Sequence, residues 1–149
     1  MRRMQVAGIV TGIALKTAHG GSMQEVHEAT TIVHGGLKGS ASVGTKRGVT
    51  FLSREQWEAT LREIGTELPW YSRRANVLVE GADLSSWIGR IIRVGEAELR
   101  IHGETRPCQR MDQEYRGLRE ALSINCRAGV YGQVLRGGRI RVGDSISLH

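Results

Sequence analysis

Apolar residues in this chain fall into short runs interrupted by glycines, a pattern that predicts many short strands joined by tight turns. The first run, Met4 to Leu15, reads as a strand bent near Gly8 or Gly12. Val26 to His34 reads as a second strand, carrying Val26, Thr30, Thr31, Ile32 and Val33. A glycine-rich loop follows from Gly35 to Gly48, and Val49 to Leu52 is a short buried strand. Asn76 to Glu80 is another, ended by a turn at Gly81. Arg90 to Val94 and Glu98 to His102 form a hairpin around Gly95-Glu96. Ala128 to Leu135 and Arg139 to Val142 are expected to pair across Gly137-Gly138, a favoured two-residue turn. The chain turns again at Val142-Gly143-Asp144 into Ser145 to Leu148.

Helical signals are fewer. Ser53-Arg54-Glu55-Gln56 matches a capping box, with Ser53 as N-cap and Gln56 at the third helical position. Trp57, Leu61 and Ile64 then share one apolar face, and Gly65 suits a C-cap. Asp83 to Gly89 reads as a single helical turn. Met111, Tyr115, Leu118 and Leu122 recur at helical spacing. Short strands with a few short helices predict a mixed α/β, β-dominated fold of barrel type. At 149 residues, one domain spanning 1–149 is the economical division.

Composition narrows the class. The chain is 40% hydrophobic and 24% charged, and no apolar run approaches the roughly 18 residues of a membrane span. The basic start Met1-Arg2-Arg3 precedes a stretch broken by Gly8, Thr11 and Gly12, without a signal-peptide cleavage pattern. The two cysteines, Cys108 and Cys126, make no CxxC pair, and a disulfide between them has little support. A reducing cytoplasm is therefore the expected location. The net charge is +6, and 18 of the 21 basic residues are arginines. Arginine's planar fork binds phosphate and carboxylate bidentately. Such a surplus is compatible with a solvated basic face, an anionic small ligand or nucleic acid. With three Trp, three Tyr and one Phe, there is little aromatic surface for stacking bases, which favours the small ligand.

Three constellations could carry chemistry. The loop from Gly35 to Gly48 holds Lys38, Lys46 and Arg47 among glycines whose N–H groups can approach an anion. It matches neither the P-loop nor the G-x-G-x-x-G spacing, and a surface loop is an equal reading. Arg73-Arg74-Ala75-Asn76 places many donors at a strand mouth. Arg106-Pro107-Cys108 with Arg110, and further on Arg127 and Gly129, sets a thiol among cations that favour its thiolate. A lone cysteine is, by itself, more often a small buried apolar residue. The five histidines show no zinc-ligand spacing, and no paired carboxylates stand out.

Taken in order, four segments resemble the MOSC domain, named for the C-terminal domain of molybdenum cofactor sulfurase. They are the glycine loop leading into Val49-Thr50-Phe51-Leu52-Ser53, the strand Arg73 to Gly81, Pro107-Cys108, and Gly129 to Asp144. The resemblance covers about Gly35 to Leu148. It implies a barrel-like fold and a molybdenum cofactor, a pterin with a terminal phosphate. Cys108 matches the family's cysteine, thought to ligate molybdenum or carry sulfur. Lys38, Lys46, Arg47, Arg73, Arg74, Asn76, Arg106 and Arg127 are the expected cofactor contacts. Some relatives reduce N-hydroxylated compounds. Others are fused to domains that use pyridoxal phosphate, for which this chain has no room. Many relatives carry a Gly-Asp-x-His pattern where this chain reads Gly39-Ser40-Ala41-Ser42. The resemblance thus points to an oxidoreductase served by an external electron donor. The alternatives are a carrier bearing a persulfide on Cys108, loaded by a sulfurtransferase, and a basic barrel binding nucleic acid.

Overall fold

A computed structural model describes residues 5–18, 21–41 and 48–149. The order of elements is β1 (Gln5–Lys16), β2 (Met23–Val26), β3 (Glu28–Thr31), β4 (Val49–Ser53), α1 (Arg54–Ile64), β5 (Val77–Glu80), β6 (Ile91–Val94), β7 (Ala97–Glu104), α2 (Gln109–Glu114), α3 (Leu118–Ala121), β8 (Val130–Arg136), β9 (Gly138–Arg141) and β10 (Ser145–Leu148). Two 3-10 turns, Trp70–Arg73 and Leu84–Trp87, complete it.

Seven strands close a barrel in the order β10-β6-β7-β8-β4-β5-β1, and β1 pairs back onto β10. Closure leaves no unpaired edge in the ring. β1 serves both β10 and β5 because its register shifts between Val6 and Gly8 and again between Val10 and Gly12. Both glycines named by the sequence therefore mark bulges, which bend the strand around the barrel. β4 and β5 pair in parallel, with α1 in the crossover.

Strand alternation sorts side chains into two cores. Val10, Ile13, Phe51, Val77, Val79, Leu99, Ile101 and Val130 fill the barrel, where Trp87 meets Phe51 edge-on. Leu52 and Leu78 point outward and pack under Trp57 and Leu61 of α1, together with Met111, Leu118 and Leu122. Ser53 caps α1, accepting from the Gln56 N–H at 3.2 Å. Gly65 ends it in the left-handed conformation, φ +75°. The second core fixes α1, α2 and α3 against one wall of the barrel, beside its mouth.

Three expectations are corrected. Val26 to His34 is not one strand: β2 pairs with β1, the chain breaks at His27, and β3 pairs with β9 in a separate two-stranded sheet. The expected hairpin across Gly137-Gly138 does not form. β8 is bonded to β7 and β4 inside the barrel, while β9 leaves it to join β3. Thr31 holds that exit, donating to the Gly138 carbonyl and accepting from its N–H. The helical spacing from Met111 to Leu122 belongs to two short helices. Gly117, at φ +95°, separates them, which leaves Tyr115 exposed while Met111, Leu118 and Leu122 are buried. Among the described residues no helix is long and apolar enough to cross a membrane.

Candidate functional site

The barrel mouth is organised by a buried amide. Asn76 stands just before β5, and its Oδ1 accepts from both the N–H and the hydroxyl of Thr50 in β4, at 3.1 and 3.2 Å. Its Nδ2 donates to the Ala14 carbonyl of β1 at 3.4 Å. One side chain thus ties three strands where they open. The 3-10 turn Trp70–Arg73 precedes it, and Arg74 takes a left-handed conformation, φ +66°. A non-glycine residue pays a steric cost there, so the turn is held by its surroundings. Arg74 donates through Nη1 to the Gly21 carbonyl, pinning the β1–β2 turn. Arg73 donates through Nε to the Ala128 carbonyl at 2.9 Å and through Nη2 to the Thr105 hydroxyl at 3.2 Å. Thr105 in turn donates to the same Ala128 carbonyl at 2.6 Å.

Beyond β7 the chain runs through Arg106 and Pro107 to Cys108, the N-cap residue of α2. The Cys108 carbonyl accepts from the Met111 N–H at 3.0 Å. Its thiol is exposed. Arg110 follows in the first turn of α2.

These segments enclose a cavity of about 230 Å³ lined by Lys16, Thr50, Arg73, Arg74, Ala75, Thr105, Arg106, Cys108, Arg110, Met111 and Ala128. Among the described residues that line it, five are cations and none is a carboxylate. Burial pushes the Arg74 guanidinium below its ordinary value, and repulsion from Arg110 adds to this. Glu114 and the Cys108 sulfur oppose the shift. Charging this cavity is therefore costly, and an anion within it would lower that cost. Cys126 is the opposite kind of thiol. It is buried, and burial pushes its pKa up, with Glu104 and Asp83 adding to the effect. The two cysteines are free.

The predicted contacts divide by location. Arg73, Arg74, Arg106 and Cys108 meet at the cavity. Asn76 lies behind it as the buried tie of the strands. Arg127 points elsewhere, in a two-pronged pair with Glu63 of α1 at 2.6 and 2.7 Å. Lys38 is exposed on its loop and is not part of the cavity lining. Lys46, Arg47 and Ser42 lie outside the described residues. Sequence reasoning passed over Lys16 and Thr105 as contacts. A basic residue closing the apolar first strand marks Lys16. The one signal for Thr105 is its place in the Arg106-Cys108 run. No group of three or more His, Cys, Asp and Glu side chains poised to hold a metal ion occurs among the described residues.

The fold has solved relatives. YuaD from Bacillus subtilis superposes with a TM-score of 0.83 at 21% identity, covering 100% of this chain and 98% of that one. YiiM from Escherichia coli gives 0.73 at 19% identity, covering 95% and 69%. YiiM from Geobacillus stearothermophilus gives 0.66 at 16% identity, covering 99% and 75%. At these identities the likeness is one of fold. No curated protein sequence matches significantly. The family model of the MOSC domain matches residues 16–147, nearly the whole chain, and spans both the barrel and the cysteine segment, so this chain belongs to the MOSC domain family.

Proposed function

We propose that the cavity binds a molybdenum cofactor through its phosphate and pterin, with the Cys108 thiolate as the soft ligand, and that the protein is an oxidoreductase. The observation that carries this reading is the convergence of five cations and one exposed thiol on a single cavity. A phosphate would relieve the repulsion between Arg74 and Arg110. Arg73 is held from behind by Ala128 and Thr105, so its guanidinium is presented without further ordering. A sulfur ligand suits a metal of this softness. The residues present therefore fit the group. When bound, the cofactor would supply two-electron oxygen-atom chemistry. The protein's share is to hold the phosphate, fix the sulfur and keep the open mouth accessible to a small substrate. N-hydroxylated compounds are the proposed class, with electrons supplied by an external donor. The proposed location is a reducing compartment such as the cytoplasm, a reading supported by an exposed free thiol.

The exposure of Cys108 also favours a second reading, a sulfur carrier. Attack of its thiolate on a donor's persulfide would move one sulfur atom and leave the donor as a thiol. One experiment separates the two. Protein purified from a cofactor-producing host is assayed for molybdenum and pterin fluorescence, and its intact mass is measured. Near-stoichiometric molybdenum, lost in Cys108→Ser and in Arg73→Ala, is the expected result. Folded protein without molybdenum but heavier by one sulfur at Cys108 would replace the first reading with the second.

A further inference from the structure

A second cavity, of about 540 Å³, adjoins the segment that carries Cys108. Glu104, Arg106, Asp112, Arg119 and Glu120 line it, with Pro107 in its wall. Arg106 borders both cavities, whereas Cys108 borders only the first and Pro107 only the second. The frame of the second cavity is fixed on two sides. Thr105 is buried and donates its N–H to the Gly129 carbonyl at 2.9 Å, while its neighbours Glu104 and Arg106 both reach the cavity. Across from them, one Asp112 carboxylate oxygen accepts from the Gly117 and Arg119 N–H groups at 3.2 and 3.1 Å. Leu118, between those two residues, is fully buried. These anchors set where Arg119 and Glu120 leave the backbone.

Among the described residues, no ion pair joins Glu104 or Glu120 to Arg106 or Arg119. Elsewhere on this surface neighbouring opposite charges do meet, as in Arg93–Glu98 at 3.0 Å and Arg141–Glu28 at 3.3 Å. Here both signs border one space without joining. A lone anion would be drawn to the arginines and repelled by the carboxylates, and a lone cation would meet the reverse. A molecule with one charge of each sign satisfies both sets. The volume suits a small molecule.

We infer that this second cavity binds a small zwitterion, a molecule carrying a carboxylate and an ammonium group. Arg106 and Arg119 take the anionic end, and Glu104 and Glu120 the cationic end. The site is independent of the cofactor and takes its ligand whether or not the first cavity is filled. Because Arg106 borders both cavities, a ligand bound here lies beside the segment that presents Cys108.

The test is titration calorimetry of the full chain at low salt, with thermal melts to show that each variant is folded. The probes are β-alanine, γ-aminobutyrate and δ-aminovalerate, which differ in the spacing of their charges. Valerate and pentylamine, each with a single charge, are the controls. At least one zwitterion is expected to bind, with the single-charge controls roughly tenfold weaker or more. Glu104→Gln and Arg119→Gln should each weaken the zwitterion roughly threefold, the loss of one exposed charge pair. Inorganic pyrophosphate reports on the first cavity. Arg74→Ala should weaken its binding and keep that of the zwitterion, and Glu104→Gln should do the opposite. Failure of all three zwitterions to bind overturns the inference, as does valerate binding as tightly as δ-aminovalerate. Loss of the zwitterion in Arg74→Ala, with parent-like binding in Glu104→Gln and Arg119→Gln, would put the probe in the first cavity and overturn it as well.

Discussion

At the scale of single residues, the neighbours Arg74 and Asn76 divide the work of the site. Arg74 lines the cavity and is charged at a cost. Asn76, 2% exposed, lies outside the cavity lining and ties three strands. Replacing Asn76 by alanine would leave the Thr50 N–H and the Ala14 carbonyl without their partner. Each buried group so orphaned costs about 1–3 kcal/mol. Asn76→Ala should therefore lose about 2–4 kcal/mol in urea unfolding, with an unchanged slope. Arg74→Ala should behave in the opposite way. It removes a partly buried cation whose charging is opposed by Arg110, so its cost in stability should be small and its cost in anion binding large. If Asn76→Ala were as stable as the parent, the strand-tying role of this amide would be wrong. The neighbouring Arg-Arg-Ala-Asn run was visible in the sequence as a cluster of donors. What the run could not show is which donors turn inward to the backbone, because that depends on the left-handed turn at Arg74.

Among the elements, α1 shows how a cation read as a ligand contact can be structural. Arg127 lies just before β8 and grips Glu63 near the end of α1, with its own side chain mostly covered and that of Glu63 55% exposed. Hydrogen bonding to Arg127 holds the Glu63 carboxyl below its ordinary value, and burial opposes this. A carboxyl depressed in the folded state contributes stability above its unfolded pKa and loses it as pH falls through the folded value. Glu63→Gln should therefore be slightly less stable than the parent at neutral pH. Its urea midpoint should fall less steeply below about pH 4.5, and the two curves should converge in acid. A parent and variant with parallel pH profiles would show that the pair is fully screened, as many half-exposed pairs are. The helix itself was legible, since the Ser53 cap, the Trp57-Leu61 face and the Gly65 stop are all local signals. The strands were legible one by one, but their partners were not. β8 and β9 carry a favourable turn at Gly137-Gly138, yet β8 is claimed by β7 and β4, and β9 by β3. Local turn chemistry lost to barrel closure, which no window of sequence contains. For the same reason Lys16 escaped notice, because it reaches the cavity only once the ring has closed.

On the scale of the whole molecule, the cavity and the barrel share a backbone, and Gly129 is where they meet. It has φ +107°, and a methyl group there would overlap the Phe51 carbonyl oxygen of β4 and crowd the Thr105 hydroxyl. Its carbonyl accepts from the Thr105 N–H, and the preceding Ala128 carbonyl receives both Arg73 and Thr105. A substitution must push β4 away from β8, where Phe51 and Val130 are paired. In a closed ring that displacement cannot be absorbed by an edge strand, so it moves the support of Arg73 as well. Gly129→Ala should cost about 3 kcal/mol from strain and overlap together. It should also weaken pyrophosphate binding under conditions where the variant remains folded. Gly81→Ala is the control. That glycine is also left-handed, at φ +72°, but a methyl group there meets nothing. It should cost about 1 kcal/mol and leave binding intact. Equal binding by Gly129→Ala and Gly81→Ala at matched folded fractions would mean that the barrel supports the cavity only loosely. Weaker binding by Gly129→Ala alone would show that the packing of β4 on β8 sets the position of Arg73, and through it the charge that the cavity presents to its ligand.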